Sequence, residues 1–294
     1  MIKLLCMICF MVYYFVLGND AAVQIAMSVG GSIEGFADLM NNKAKSLQLN
    51  STNYVTPHGL DADGHYTTAY ELALLTDYAL NIPKFLEIVS TKTYTITING
   101  YPKTINNTNE LLGNLKGING VKTGFTNMAG RCLETSCIRD DFNIICVVLG
   151  ADTKNIRTTD SVKLIEYCFK NYKQIDLNKL TEEYFEQWKK INLKRISINK
   201  GDSSYCKLEL EKIEIPFYPV RIDKINNINF NITTVNTLEA PVSKGSTIGN
   251  LEIKLDDKTL FNINLLTSNT VNKKGIITYL TQFIENYALY LEHI

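Results

Sequence analysis

Apolar positions in the first half of the chain recur at helical spacing, then switch to strand spacing, and that switch sets the expected architecture. Asp20 to Met27 reads as a short helix. Ser32 stands as the cap of a second helix, in which Ile33, Phe36, Met40 and Ala44 form one apolar stripe. Thr68-x-x-Glu71 has the form of a capping box, opening a helix that runs through Ala79 and stops before Pro83. From Thr91 to Asn99 the period falls to two, Asn99-Gly100 is a hairpin signal, and Lys103 to Ile105 supplies the returning strand. Lys122 to Thr126, Gly130 to Thr135 and Phe142 to Leu149 alternate as successive strands of a sheet. Thr158 to Tyr172 then closes the region as a helix that turns Val162, Ile165 and Phe169 toward that sheet.

Beyond residue 173 the pattern changes. Residues 173–192 read as a polar, aromatic linker, helical from Thr181 to Lys190. Short strands follow at Leu193 to Ile198, Cys206 to Glu211, Ile228 to Val235, Gly249 to Leu255 and Thr259 to Leu265. Lys200-Gly201-Asp202 and Asp256-Asp257 supply turns between them, so residues 193–268 form a β-rich module. In the tail, residues 269–294, Ile276, Leu280, Phe283, Tyr287 and Leu291 share one helical face from Gly275 onward. Glu285, Asn286 and Glu292 make that helix too polar to span a bilayer; lying on a membrane surface and packing onto the β-module both fit it.

With 294 residues the chain is long enough for two domains, and its formal net charge of zero gives no support to a nucleic-acid partner. The seven cysteines are an odd number without a second pair at zinc-site spacing, so neither a metal nor an obligatory disulfide is expected.

The candidate chemistry lies at Lys122-Thr123-Gly124. Gly117-Ile118-Asn119-Gly120 reads as a turn, after which Val121 opens an extended segment. On an edge strand, a lysine and its neighbouring threonine offer an ammonium and a hydroxyl to a carboxylate, and a glycine lets an extended peptide lie close. A lone tripeptide of this kind arises by chance in many chains; its surroundings raise its weight.

Those surroundings are Asn19-Asp20-Ala21-Ala22, the Met40-Asn41 helix, His58-Gly59-Leu60-Asp61, Asn107-Thr108-Asn109 with Leu111-Leu112, and Leu149-Gly150-Ala151-Asp152 with Arg157. In order and spacing, residues 18 to about 172 resemble the low-molecular-mass penicillin-binding proteins, the serine-type D-alanyl-D-alanine carboxypeptidases. Leu238 to Gly245, followed by Ile248-Gly249, is similar to the β-rich domain that follows the catalytic domain in that family. The resemblance implies an α+β fold: a transpeptidase-like domain of antiparallel sheet and helices (18–172) lacking its N-terminal part, then a small all-β domain and a C-terminal helix. It implies hydrolysis of peptidoglycan stem peptides ending in D-Ala-D-Ala through an acyl-serine, without a cofactor. It also implies β-lactams as ligands and a place outside the cytoplasm at the cell membrane. Asn19 matches the asparagine of the family's Ser-x-Asn motif, Lys122, Thr123 and Gly124 match its substrate-binding strand, and Arg157 stands where some members carry an arginine near the substrate carboxylate. Arg157 is equally open to a structural role, and His58 and His65 are expected to stabilise their loop.

The departures fall at the front. Leu17 stands in place of the relay serine, and no Ser-x-x-Lys precedes Asn19. An isobutyl group neither accepts nor donates a proton, so the activation machinery is expected to be missing and turnover absent. Residues 1–17 are apolar and unlike the family. Read through degenerate codons, a one-base shift near Leu17-Gly18 permits the family's approach to its Ser-x-Asn motif and is the expected cause, while Lys3 and the apolar run after it also fit the start of a signal or short anchor without an evident cleavage site. The alternative function is a non-catalytic peptidoglycan-binding pseudoenzyme.

Overall fold

The computed structural model describes residues 18–276, 279–281 and 283–284. The readings made for residues 1–17, Leu17 among them, and for residues 285–294 lie outside the described residues. Two compact units divide between Lys170 and Asn171.

The first unit begins with helices α1 (Asn19–Gly30) and α2 (Ile33–Ser46). Ser32 caps α2 as its side chain implies, its Oγ accepting from the Gly35 N–H at 2.9 Å. Thr68 likewise caps α3 (Ala69–Leu80), accepting from Glu71 N–H at 3.1 Å. The reciprocal half of the capping box is missing, because the Glu71 carboxylate instead accepts from Ser51 N–H at 2.8 Å and ties the preceding loop to the helix. Pro83 does more than end that helix: it opens α4 (Pro83–Ser90), which the sequence reading did not assign. Its ring fixes φ at a helical value and its missing N–H is not needed in a first turn.

Strands β1 (Thr93–Ile98) and β2 (Tyr101–Asn106) form the expected hairpin, with Asn99 and Gly100 at φ +50° and +83° as a two-residue turn of this hand requires. Then β3 (Ile118–Thr126), β4 (Gly130–Arg139) and β5 (Phe142–Ala151) make an antiparallel sheet in the order β3-β4-β5. The stretch Ile118 to Gly120, expected as a turn, already belongs to β3. Gly117 O accepts from Ile138 N–H at 2.9 Å and starts the ladder early. Helix α5 (Lys154–Asn171) covers one sheet face, burying Ile165 against Leu133, Cys137, Leu111 and Cys146, with Val162 and Phe169 at the margin. Each fully buried aliphatic side chain there stabilises the unit by about 1.5–3 kcal/mol relative to exposure.

The second unit opens with β6 (Tyr172–Asp176) and α6 (Leu177–Asn192). Residues 173–192 are therefore no linker. Leu177 and Phe185 are buried on α6, Phe185 within a core that includes Ile196, Leu208, Leu265 and Val271. The remaining strands are β7 (Ser197–Asn199), β8 (Leu208–Leu210), β9 (Phe217–Arg221), β10 (Ile228–Thr234), β11 (Thr237–Glu239), β12 (Thr247–Leu255) and β13 (Lys258–Thr267). Four of them form a sheet in the order β10-β12-β13-β8, while β6 pairs with β9 and β7 with β11. The single strand expected from Leu193 to Ile198 is a 3₁₀ turn at Leu193–Arg195 followed by β7.

Candidate functional site

Because β3 is the terminal strand of its sheet, one of its backbone edges has no strand partner among the described residues. Lys122 and Gly124 fall on one face of it and Thr123 on the other, following the two-residue period. Lys122 lies opposite Glu134 across the ladder, and Gly124 opposite Cys132. These residues, with Leu72, Thr123, Leu133 and Leu149, line a cavity of about 180 Å³. A larger groove of about 520 Å³ continues past Gly124 along Phe125 and Thr126, bounded by Leu60, His65 and Tyr66.

The fold does not require glycine at position 124. A Cβ built there would meet Cys132 Cβ alone, at 3.6 Å, an ordinary contact. The omitted side chain leaves room in the groove. Gly120 differs, since a Cβ there would lie 2.9 Å from Val89 Cγ2 on α4. That close approach seats α4 against β3.

Lys122 donates to Thr123 O at 2.8 Å. Burial pushes its ammonium down to about 8; Glu134 works against that shift and Arg157 adds to it. Glu134 is pushed up to about 7 by burial, opposed by a hydrogen bond from Thr76 and by the Lys122 charge. Thr123 is buried, and its hydroxyl donates to Thr108 Oγ1 at 2.7 Å. The side-chain donor at the smaller cavity is thus the Lys122 ammonium, while the threonine hydroxyl expected beside it is turned to Thr108.

The start of β3 is stapled from Asn107-Thr108-Asn109. Asn109 is buried; its Nδ2 donates to Gly120 O at 2.8 Å and its Oδ1 accepts from Leu111 N–H at 3.1 Å. Asn107 donates to Val89 O and Thr91 O, both at 3.2 Å, joining the end of α4 to the same point. Two amide side chains, one buried and one half-buried, thereby fix where the lysine strand begins.

Arg157 is not a surface residue. It is buried on α5, and its Nη2 donates to both carboxylate oxygens of Glu110, at 2.7 and 2.8 Å. Burial alone would raise the Glu110 pKa, but hydrogen bonds from Thr158, the backbone and Arg157 hold it below the usual carboxylate value. Arg157 thus positions the loop before β3, and its charge reaches Lys122 through space.

Asn19 lies exposed in the first turn of α1, and no hydrogen bond joins its side chain to the lysine strand among the described residues. His65 Nδ1 accepts from Val55 N–H at 3.0 Å, and His58 Nδ1 from Leu60 N–H at 3.2 Å. Both rings hold their loop, as expected. Two Ser-x-x-Lys tetrapeptides, at Ser197 and Ser204, were passed over in the sequence reading. Ser197 sits on β7, where third neighbours point to opposite faces, and the strand-flanking segment from Ser204 to Lys207 is not helical. Neither places a lysine one helical turn from its serine.

Residues 11–153 match the family model of the D-alanyl-D-alanine carboxypeptidases, and residues 183–273 match that of the penicillin-binding protein 5 C-terminal domain. The chain is 28% identical to D-alanyl-D-alanine carboxypeptidase DacF of Bacillus subtilis, over 92% of this chain and 67% of the relative. It is 32% identical to DacC of Escherichia coli, over 91% of this chain and 64% of the relative. Penicillin binding protein 5 from Haemophilus influenzae superposes with a TM-score of 0.65 at 27% identity, covering 89% of this chain and 73% of that one. The chain belongs to the D-alanyl-D-alanine carboxypeptidase family. It spans about two thirds of the length of the curated relatives it matches. The mixed helix-and-sheet architecture with a β-rich C-terminal domain is that of the penicillin-binding protein 5 structures.

Within this carboxypeptidase-family chain, Glu134 escaped sequence reading, and Asn107-Thr108-Asn109 was legible as a motif but not as a staple. Glu134 was detectable as the one acidic side chain in a strand otherwise free of carboxylates, Gly130 to Arg139.

Proposed function

We propose that this chain is a penicillin-binding relative of the serine-type carboxypeptidases whose β3 edge grips the free carboxylate of a peptidoglycan stem peptide ending in D-Ala-D-Ala. The supporting observation is the open strand edge, on which Lys122 presents an ammonium beside the side-chain-free space at Gly124. A peptide extended along that edge gains backbone hydrogen bonds, and a charge-assisted contact at Lys122 selects its acid end.

These 294 residues bind the peptide without cleaving it. Leu17 stands at the relay-serine position, and among the described residues no helical serine is followed one turn later by a lysine. Acyl transfer requires an activated nucleophile, so carboxylate binding alone does not yield turnover. Titration with N-acetyl-D-Ala-D-Ala and with its C-terminal amide tests the reading. The acid should bind at least tenfold more tightly, a difference of about 1.4 kcal/mol, and Lys122→Met should abolish the preference. Equal binding of acid and amide would refute it. Covalent labelling by a fluorescent penicillin would overturn the non-catalytic part.

At the other end of the chain, Ile276, Leu280, Phe283 and Ile284 are exposed large apolar residues at helical spacing. They support a seat on the outer surface of the cell membrane, with the apolar row in the headgroup region. No helix among the described residues is long and apolar enough to cross a membrane. Flotation of the full chain with anionic and zwitterionic vesicles checks this, and loss of flotation in Ile276→Ser/Phe283→Ser is the expected outcome.

A further inference from the structure

Glu134 has no part in the scheme above, yet it occupies the cross-strand position facing Lys122. Its Oε1 is sealed from solvent and has no hydrogen-bond partner. A buried carboxylate oxygen without a donor is costly, on the order of several kcal/mol for an uncompensated charge, unless the group carries a proton in some working state. The surrounding groups relieve it only in part. From β3 comes Lys122; from β4, Cys132 shares its face; from β5, the register partner is the uncharged Val147. From α3, Thr76 acts on Glu134 as a hydrogen-bond donor, while Glu134 and Glu71 both act through space on Tyr54, and Arg157 acts on Lys122.

We infer that Glu134 is a selectivity residue of the Lys122 groove, which accepts an anionic ligand only together with a proton on that carboxylate. The inference rests on the carboxylate-grip reading given above. With Glu134 ionised, the Lys122–Glu134 couple carries no net charge, and an arriving carboxylate meets a second carboxylate across the strand. With Glu134 protonated, the couple is net positive and its sealed oxygen is a neutral acid. Balance is simple: one carboxylate enters, one proton is taken from solvent by Glu134, and no bond in the ligand changes. Burial that holds Glu134 near 7 puts this exchange within the neutral range.

The test is titration of the full chain with N-acetyl-D-Ala-D-Ala between pH 5.5 and 7.5, alongside nuclear magnetic resonance of ¹³C-labelled glutamate carboxyls. Wild-type affinity should fall about fourfold across that range, as expected for binding limited to the protonated form of a group titrating near 7. Glu134→Gln should match wild type at pH 5.5 and bind more tightly than wild type at pH 7.5. The Glu134 carboxyl resonance, assigned by its loss in Glu134→Gln, should titrate near 7 in the free protein and at higher pH in the presence of ligand. A ligand-insensitive Glu134 resonance, or identical pH profiles for the two proteins, overturns the inference while leaving the grip reading intact, provided the acid still outbinds the amide. If acid and amide bind equally at every pH in both proteins, both readings fall. Should the variant fold poorly, assignment through the scalar couplings of Glu134 in the wild-type protein lets that resonance decide the matter.

Discussion

The two units bury different things. In the first, Glu71, Thr76, Asn109, Thr123, Thr135, Ser136, Arg157 and Ser161 are buried polar or charged residues; in the second, the described ones are Thr181 and Thr267. The second unit's interior is instead aliphatic and aromatic, with Leu177, Leu251, Ile253 and Leu265 fully buried. Buried polar groups are tolerated when each is paired, and they fix geometry more sharply than apolar packing does. The first unit has accepted that burden around the lysine strand, and the second has been left to stability. The contrast separates a unit whose interior includes many polar side chains from one whose interior is packed almost wholly from apolar ones.

Substitutions can break the contrast, and the largest effect is expected where a buried charge loses its partner. Glu110→Ala should destabilise the first unit by about 3–4 kcal/mol, since the buried Arg157 guanidinium is left without its carboxylate. Hydrogen exchange would localise the loss to residues of the first unit and leave the second protected. In the second unit, Leu265→Ala should cost about 3 kcal/mol through cavity formation, with the first unit's exchange unchanged. Equal losses in both units from either substitution would erase the distinction.

Acid sharpens it with two opposite signs. Glu110 has a lowered pKa, so its contribution is present above the ordinary value of 4.5 and is lost as pH falls through the lowered one. Glu134 has a raised pKa, so its contribution is full below 4.5 and is lost as pH climbs through about 7. Urea denaturation should therefore find Glu134→Gln more stable than wild type at pH 8 and indistinguishable from it at pH 4. The smallest effect expected is at a helix cap, where Ser32→Ala should lower stability by about 1 kcal/mol.

Legibility in the sequence followed the range of the forces involved. The Ser32 and Thr68 caps, the Asn99-Gly100 turn and the alternation of β4 and β5 are decided within a few residues, and each stands where its pattern placed it. Strand β9 was unreadable because Pro219 interrupts it and its pairing partner Gln174 lies far back in the chain. Similarly, the supposed linker at 173–192 is apolar on one narrow stripe, and its burial depends on strands that follow it. At the site, Lys122 and Gly124 were visible as a motif, and the open edge they occupy agrees with it. The burial of Arg157, the Thr123–Thr108 bond and the unpaired Glu134 oxygen arise from contacts between distant segments, which no local pattern encodes.

One plain fact about the sheet has a bearing on how the protein will behave in a tube. Its order, β3-β4-β5, gives β5 a strand neighbour on one flank alone among the described residues, so every second one of its ten residues directs its N–H and C=O away from β4. Such a margin is sticky toward any extended polypeptide, including another copy of itself. Self-association should therefore rise with concentration and be curbed by a proline placed at Val147 or Val148, whichever directs its N–H away from β4, and dilution rather than added salt will be the way to keep the chain single.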